Sequence, residues 1–493
     1  MFILILFIIM VLASLFSFAF TDRRREYALI ATAIFLIATI VYSILRFSTG
    51  YGSGGFRSES VYNLAPSIGI AFSIGVSGFA DALLILSGIV IFIAAFIAGK
   101  HEFTQTMYSY IMITEVGLYG ILISRDFLFF YIFWEVVLIP VYFMVAQYGG
   151  RNKDHVSLKF FVYTHIGSVF LLLAIFTVYA YHYDATGVFT FEIGALMQSK
   201  YIDMIPSALR YFAFFGFIFA FLVKMPSFPL HSWLPDTYET SPYPGTVILA
   251  GGLSLMGGYG LFGILMPIYS SLGTGILQLL VALGIISLLY FSFTALIQKN
   301  LKRMMAFASA GAMGFVTLSF GAGLLEGTKY TASLELAGGM FQIVAHGLIM
   351  AMIFTALYFI KISTGKETTY GLGGIYREVP MLSTFLLAGL LASLGLPGLA
   401  GFIGEFSILV GSFAAIGWLI LLVILGMIVT ASYHIWAAQR SLYGPYNENL
   451  GKIADLTPSR FAILIGTFAA IFILGIVPNL IYGILVSYVG GII

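Results

Sequence analysis

The amino-acid sequence predicts an all-α polytopic membrane protein of about fourteen transmembrane helices, the seventh and twelfth of them broken. Three observations predict it. Hydrophobic residues fill 60% of the 493 positions and charged residues only 9%, and mean hydropathy is +1.02, far from the mixture of a soluble domain. Apolar runs long enough to cross ~30 Å of hydrocarbon recur from one end to the other. Proline- and glycine-rich interruptions fall inside two of those runs.

In chain order the runs cover 2–20, 27–45, 80–99, 107–124, 127–148, 157–181, 209–235, 243–267, 274–297, 301–323, 331–360, 380–416, 417–440 and 459–487. The opening run, Met1–Phe20, has neither a basic leader nor a small-residue cleavage site, and Arg23, Arg24 and Arg25 follow it. It reads as a retained first helix, not a signal peptide. The fourth and fifth runs meet at a tight turn over 124–126. The seventh contains Lys224-Met225-Pro226-Ser227-Phe228-Pro229, and the twelfth contains Gly395-Leu396-Pro397-Gly398-Leu399-Ala400-Gly401. Proline removes a backbone donor and clashes with the preceding turn, so irregular backbone at that depth survives only where protein or water satisfies it. Two ordinary proline kinks would explain this. The sharper reading is a pair of discontinuous helices in corresponding halves of an internal repeat, which marks a transport site. The breaks lie five helices apart, so the broken helices run in opposite directions, as an inverted repeat requires. The expected organisation is a single membrane domain over 1–493, with N-terminal helices in 1–106, a first repeat in 107–267, a second in 268–443 and a C-terminal helix in 444–493.

Basic residues orient the chain. Sixteen Lys and Arg fall in connections on the side reached after the first helix and six on the other, leaving Lys224 alone at depth. The positive-inside rule makes the richer side cytoplasmic and predicts a multi-pass protein of the cell (plasma) membrane with both termini outside.

The candidate working residues are ionisable groups kept inside the apolar runs: Glu115, Glu135, Lys224, His346 and Glu405, with His231 at the end of the first break. Each such group costs roughly 2.5–3.5 kcal/mol even on the lenient insertion scale. Counted at 1.5 Å per residue from the outer face, they form a row at similar depth in the membrane plane. Such a row suits lateral proton relay. Plainer explanations stand beside this. Glu135 could be a structural carboxylate, His346 a satisfied core histidine and His231 an interfacial residue. Lys224 could simply pair with Glu135, although such a pair also serves a proton switch. Glu405 could cap the helix that restarts near Gly401. The 30 Tyr and 47 Phe read as packing and interfacial belts.

Other chemistries are excluded or unsupported. With no cysteine, disulfides, thiolate zinc sites and cysteine-ligated iron–sulfur clusters are ruled out. The glycine clusters at 51–55 and 371–374 lack a strand–turn–helix context, so neither is a nucleotide site. No metal-ligand spacing occurs, and no cofactor or nucleic-acid partner is expected for this chain.

Over nearly its whole length the sequence resembles the antiporter-like subunits of complex I, specifically the M-chain type (mitochondrial subunit 4). The resemblance rests on Phe133-Trp134-Glu135 with Leu138-Ile139-Pro140, and on Lys224-Met225-Pro226 with Pro229-Leu230-His231 and Trp233-Leu234-Pro235-Asp236. Leu249-Ala250-Gly251 with Gly257-Gly258-Tyr259-Gly260, Ala345-His346-Gly347 and Gly404-Glu405-Phe406 complete it. It implies fourteen helices with inverted five-helix repeats, Glu135 and Lys224 as a loading pair, His346 on the connecting axis and Glu405 at the exit. Two positions depart from the family pattern: Leu255 stands where a central lysine is usual, and Ala312 where a histidine precedes Met-Gly. Water near Ser254, Tyr259 or Ser309 is the expected bridge.

The function this implies is a proton-translocating membrane-arm subunit of a complex I-like NADH (or related donor) quinone oxidoreductase. No redox centre is expected in this chain: redox energy released in partner subunits would reach it as a change in charge or hydration near Glu135, and other membrane-arm subunits would be its neighbours. The alternatives are a subunit of a multi-subunit cation/proton antiporter, a subunit of an energy-converting hydrogenase, and a non-pumping structural spacer.

Overall fold

A computed structural model of the chain describes residues 2–19, 23–48, 60–99, 103–325 and 329–493. The glycine cluster at 51–55, Arg57 and Lys100 fall outside them. Among the described residues, twelve helices are long and apolar enough to cross a membrane, and three shorter apolar helices accompany them.

The N-terminal helices are α1 (Phe2–Phe16), α2 (Arg24–Ser48) and α3 (Gly78–Ile97), followed by α4 (Thr106–Ile123), α5 (Phe127–Tyr148) and α6 (Lys153–Thr186). α5 occupies the expected span because Asp126 starts it: its Oδ1 accepts from the N–H groups of Leu128 and Phe129 at 2.8 and 3.4 Å, satisfying two otherwise orphaned donors. α2 carries Ile30, Ile34, Ile37, Val41 and Ile44 exposed on one side. Such a stripe is stable only against lipid or another apolar surface.

α7 (Ser207–Lys224) ends at the first interruption. Turns carry the chain to the short α8 (Leu234–Thr240), and a continuous helical run, α9 (Tyr243–Leu272), follows. α9 is wound partly as π-helix, at Leu249–Leu253 and Gly260–Leu265. Then come α10 (Thr274–Leu296), α11 (Leu301–Leu325), α12 (Lys329–Thr364) and α13 (Pro380–Ser393). After the second interruption α14 (Ala400–Ile416) begins, and a tight turn at Gly417–Leu419 separates it from α15 (Ile420–Ser441). The last expected helix is itself divided at Pro478 into α16 (Pro458–Ile476) and α17 (Asn479–Gly490). Pro478, two residues past the end of α16, cannot continue its ladder.

One local element departs from the all-helical expectation. β1 (Ser60–Ala65) and β2 (Ile70–Ile74) pair antiparallel, with Val61 opposite Ser73 and Tyr62 opposite Phe72. A single 3-10 turn at Pro66–Ile68 joins them, closed by Gly69 at φ +71°. The segment had read as a plain connection because it is short and broken by proline.

The chain divides into two compact units: residues 1–225, 252–277 and 484–493 form the first, and 226–251 with 278–483 the second.

Candidate functional site

In the first unit, α4 and α5 run antiparallel with Gly117 against Val137 and Gly120 against Phe133. That register sets Glu115 and Glu135 about one helical turn apart in depth, ~6 Å at 1.5 Å per residue. Glu115 is 1% exposed. Its Oε1 has no hydrogen-bond partner among the described residues. Glu135 is different. Its Oε2 lies 3.0 Å from Nδ1 of His165 on α6, and both side chains are part-exposed. The His165 ring in turn stacks on Phe161, centroids 5.6 Å apart.

Lys224 closes α7 and is 1% exposed. It forms no ion pair with Glu135, and its Nζ has no hydrogen-bond partner among the described residues. Instead Nζ lies over the indole of Trp134, 5.7 Å from the ring centroid. The negative ring face offsets part of the desolvation of an ammonium but accepts none of its protons in a directional bond. Trp134 is fixed for this by donating Nε1–H to Ser168 Oγ at 3.2 Å and by packing on Phe221. Between its two π-wound stretches, α9 sets Gly257 against the Phe221 carbonyl and Met225. Leu255, at the place of the usual lysine, is buried in that run. The Tyr259 hydroxyl accepts from Arg125 Nη1 at 3.0 Å and points its own proton toward the Leu122 carbonyl at 3.5 Å.

At the end of α5 outside the hydrocarbon-spanning residues, burial pushes the Asp126 carboxyl up from 3.8 to about 6. Bonds from the N–H groups of Leu128, Phe129 and Ala71 pull it down, and the nearby Glu192 charge raises it again.

In the second unit the polar groups are better partnered. His346 on α12 is 3% exposed, and its Nε2 lies 3.0 Å from Ser309 Oγ on α11. Tyr238 of α8 hydrogen-bonds the same serine. Ser309 stands one turn before Ala312 on the same helix, so a hydroxyl replaces the missing imidazole with a shift of three residues. Of the three expected bridging side chains, Ser309 is therefore in contact with the axis.

Glu405 is the sixth residue of α14, too far in to cap it, and Leu399 at the cap position makes no side-chain cap bond. Its carboxylate folds back over the interruption. A Cβ on Gly395 would lie 2.4 Å from Glu405 Oε2, and Gly395 sits at φ +80°. Glycine suits that left-handed backbone, and a side chain there would push the carboxylate tip aside. His231 lies in the first interruption, packed against Phe228, Tyr290 and Phe291 with ring centroids 5.9, 5.2 and 4.7 Å away.

Several groups escaped the sequence reading. His165 was passed over as part of an ordinary span. His434 on α15 is 1% exposed, bonds the Thr430 carbonyl through Nδ1 at 2.8 Å and packs against Tyr433. Glu335 on α12 is 1% exposed and accepts from Ser412 Oγ. The basic-residue pattern places Lys302 and Arg303 in a connection, yet Lys302 is buried and donates to the Ser241 carbonyl. Arg303 bridges Asp236 and Glu239 at 3.0 and 2.8 Å. Depth counting alone cannot reveal such burial, because it depends on which neighbour covers the helix end.

A family model described as NADH:quinone oxidoreductase/Mrp antiporter, TM, matches residues 124–430. The chain is 38% identical over 421 residues to F(420)H(2) dehydrogenase subunit M of Methanosarcina mazei, with 84% of this chain and 82% of that one covered. It is 32% identical over 444 residues to NAD(P)H-quinone oxidoreductase chain 4 3 of Trichormus variabilis, covering 87% and 79%. A chain of respiratory complex I from Thermus thermophilus with bound NADH shares the fold at a TM-score of 0.83 and 24% identity, covering 99% of both chains.

Proposed function

We propose a function from one established premise: the chain belongs to the NADH:quinone oxidoreductase/Mrp antiporter family of transmembrane proteins. It is a proton-translocating membrane-arm subunit of a complex I-like, redox-driven oxidoreductase. It assembles with other membrane subunits, and electron donor and quinone-type acceptor chemistry reside in its partners. The relatives named for F(420)H(2) and NAD(P)H oxidation support this placement. Its place is the cell membrane, with both termini outside.

One observation carries the reading. Lys224 is a fully buried lysine at a proline-interrupted helix end, with neither an ion pair nor a hydrogen bond to the described protein. A group left like this has no structural task that would justify its desolvation. It is suited to exchanging a proton when the charge of Glu135 changes, and His165 is placed to control that charge by sharing a proton with it. Lys224 and Glu135 load the proton, Glu115 backs the loading site, His346 with Ser309 carries it and Glu405 releases it. His231 gates the first interruption.

The test is proton translocation per electron in membrane vesicles carrying the assembled complex, wild type against Lys224→Ala. Electron transfer and assembly are monitored in the same vesicles. The expected result is intact electron transfer with this subunit's protons lost. Normal pumping by the assembled variant would make the chain a spacer.

A further inference from the structure

The second unit holds a buried carboxyl that the relay just described does not use. Glu335 is the seventh residue of α12. Among the described residues no Lys, Arg or His lies within ion-pair distance of it, and its Oε1 accepts from Ser412 Oγ. The neighbouring hydroxyl of Ser319 donates to the Glu335 backbone carbonyl at 2.7 Å.

Glu335 also lies in line with the relay. Gln342 follows it by seven residues and His346 by eleven. At 3.6 residues per turn all three share one face of α12, spaced by ~10 Å and ~6 Å along the axis. α14 runs antiparallel along that face. A Cβ on Gly411 would lie 2.4 Å from Glu335 Cβ, one on Gly338 would lie 2.7 Å from Ser407 Cβ, and one on Gly404 would lie 2.3 Å from Gln342 Oε1. The seam between the two helices therefore carries Glu335 with Ser412, then Ser407, then Gln342 against Gly404, the residue before Glu405, and His346 follows on the same face of α12. Toward the end where α12 begins and α14 finishes, it is a track of polar groups between two apolar helices.

Gln342 supplies an independent sign that the track is used. It is 3% exposed, and its Oε1 has no hydrogen-bond partner among the described residues. A buried amide oxygen left bare costs about 1–3 kcal/mol. The bare oxygen points to a transient donor in the gap between Glu405 and Glu335, of the kind a moving proton and its water provide.

We propose that Glu335 is a further proton-carrying residue of this subunit, taking the proton from Glu405 by way of Gln342 and passing it toward the outer end of the α12–α14 seam. The carboxyl binds one proton at Oε2 as one leaves the Glu405 carboxyl, and gives it up outward while Ser412 holds Oε1 in place. The proposal rests on the proton-translocating reading above.

A static clamp joining α12 to α14 would use the same serine–carboxyl bond, so the test must separate a clamp from a carrier. Glu335→Gln keeps a hydrogen-bonding side chain of equal length and removes the titrating proton. In vesicles with the assembled complex, protons per electron are compared for wild type, Glu335→Gln and Lys224→Ala. The expected result is that Glu335→Gln loses the same share as Lys224→Ala with electron transfer intact. Wild-type pumping in Glu335→Gln with loss in Lys224→Ala overturns the inference and leaves the functional reading standing. Wild-type pumping in both overturns both. If Glu335→Gln does not assemble, Ser412→Ala is used with redox-induced infrared difference spectroscopy. A carboxyl stretching band that shifts when the serine bond is removed supports proton uptake at Glu335. An unshifted spectrum overturns it.

Discussion

Two sets of buried ionisable groups, one in each unit, are held differently. In the first, Lys224 Nζ and one oxygen of Glu115 stand without hydrogen bonds among the described residues, and Lys224 lies over the indole face of Trp134. In the second, His346 is tied to Ser309, Glu335 to Ser412, and Glu405 is folded over the glycine of an interruption. A bare buried group responds strongly to any nearby charge, because little else competes for its proton. A group held by hydroxyls has a fixed position and a ready proton path, and its response to distant charge is blunted. The first arrangement suits loading by an external charge; the second suits passage. The contrast also shows how the chain does without its two missing stations. Ser309 supplies a hydroxyl one turn from Ala312, whereas Leu255 is itself apolar and buried.

The largest effect that would break this comparison is at the second interruption. Gly395→Ala forces a side chain into the left-handed region, costing about 1–2 kcal/mol, and drives a methyl into the Glu405 carboxylate. Gly417→Ala is the control. Gly417 has φ +52° but nothing within 4 Å of an added Cβ. Gly395→Ala is expected to abolish this subunit's proton translocation, and Gly417→Ala to lower only the melting temperature. Equal pumping in the two variants would show that the carboxylate's position over the break is incidental.

A smaller effect is expected at the hydroxyl that ties down the histidine. Ser309→Ala leaves His346 Nε2 bare in a buried site, a penalty of about 1–3 kcal/mol, and removes the shared contact with Tyr238. Ser168→Ala frees the Trp134 indole and changes no group that carries a proton. Translocation should fall clearly in Ser309→Ala and only slightly in Ser168→Ala, with Ser309→Thr restoring it. The reverse order would assign the sensitive proton path to the first unit.

What the sequence disclosed follows from the same physics. Hydrocarbon makes Glu115, Lys224, His346 and Glu405 conspicuous against their surroundings, and Pro226, Pro229, Pro397 and Gly395 announce the interruptions through backbone chemistry alone. Partners are another matter. That Glu135 faces His165 depends on how α5 and α6 rotate against each other, which neither segment's pattern dictates. Glu335 lies near the start of α12, where a depth count places it in the headgroup region; the close approaches of α14 at Gly411 and of α11 at Ser319 and Gly323 bury it. Lys302 misled for the same reason, since its covering contacts come from residues more than sixty positions away. The hairpin of β1 and β2 was hidden by its brevity.

The smallest expected effect concerns stability and separates the turn before α5 from the relay itself. With its carboxyl at about 6 instead of 3.8, Asp126 binds its proton more tightly in the folded chain than in the unfolded one. Its contribution to stability is therefore present below the unfolded value and is lost as pH rises through the folded one. The loss falls between about pH 4 and pH 6 and amounts to something on the order of 3 kcal/mol. Asp126→Asn keeps an oxygen to accept from Leu128 and Phe129 but carries no charge, so that slope should vanish. Melting of the assembled complex at several pH values should show the wild type losing ground to Asp126→Asn as pH rises from about 4 to 7, while protons per electron stay equal. Equal melting curves would mean that water reaches this carboxyl in the assembly. A drop in pumping would instead move Asp126 from the scaffold into the proton path of the first unit, and the sharp division between loading and passage would no longer hold.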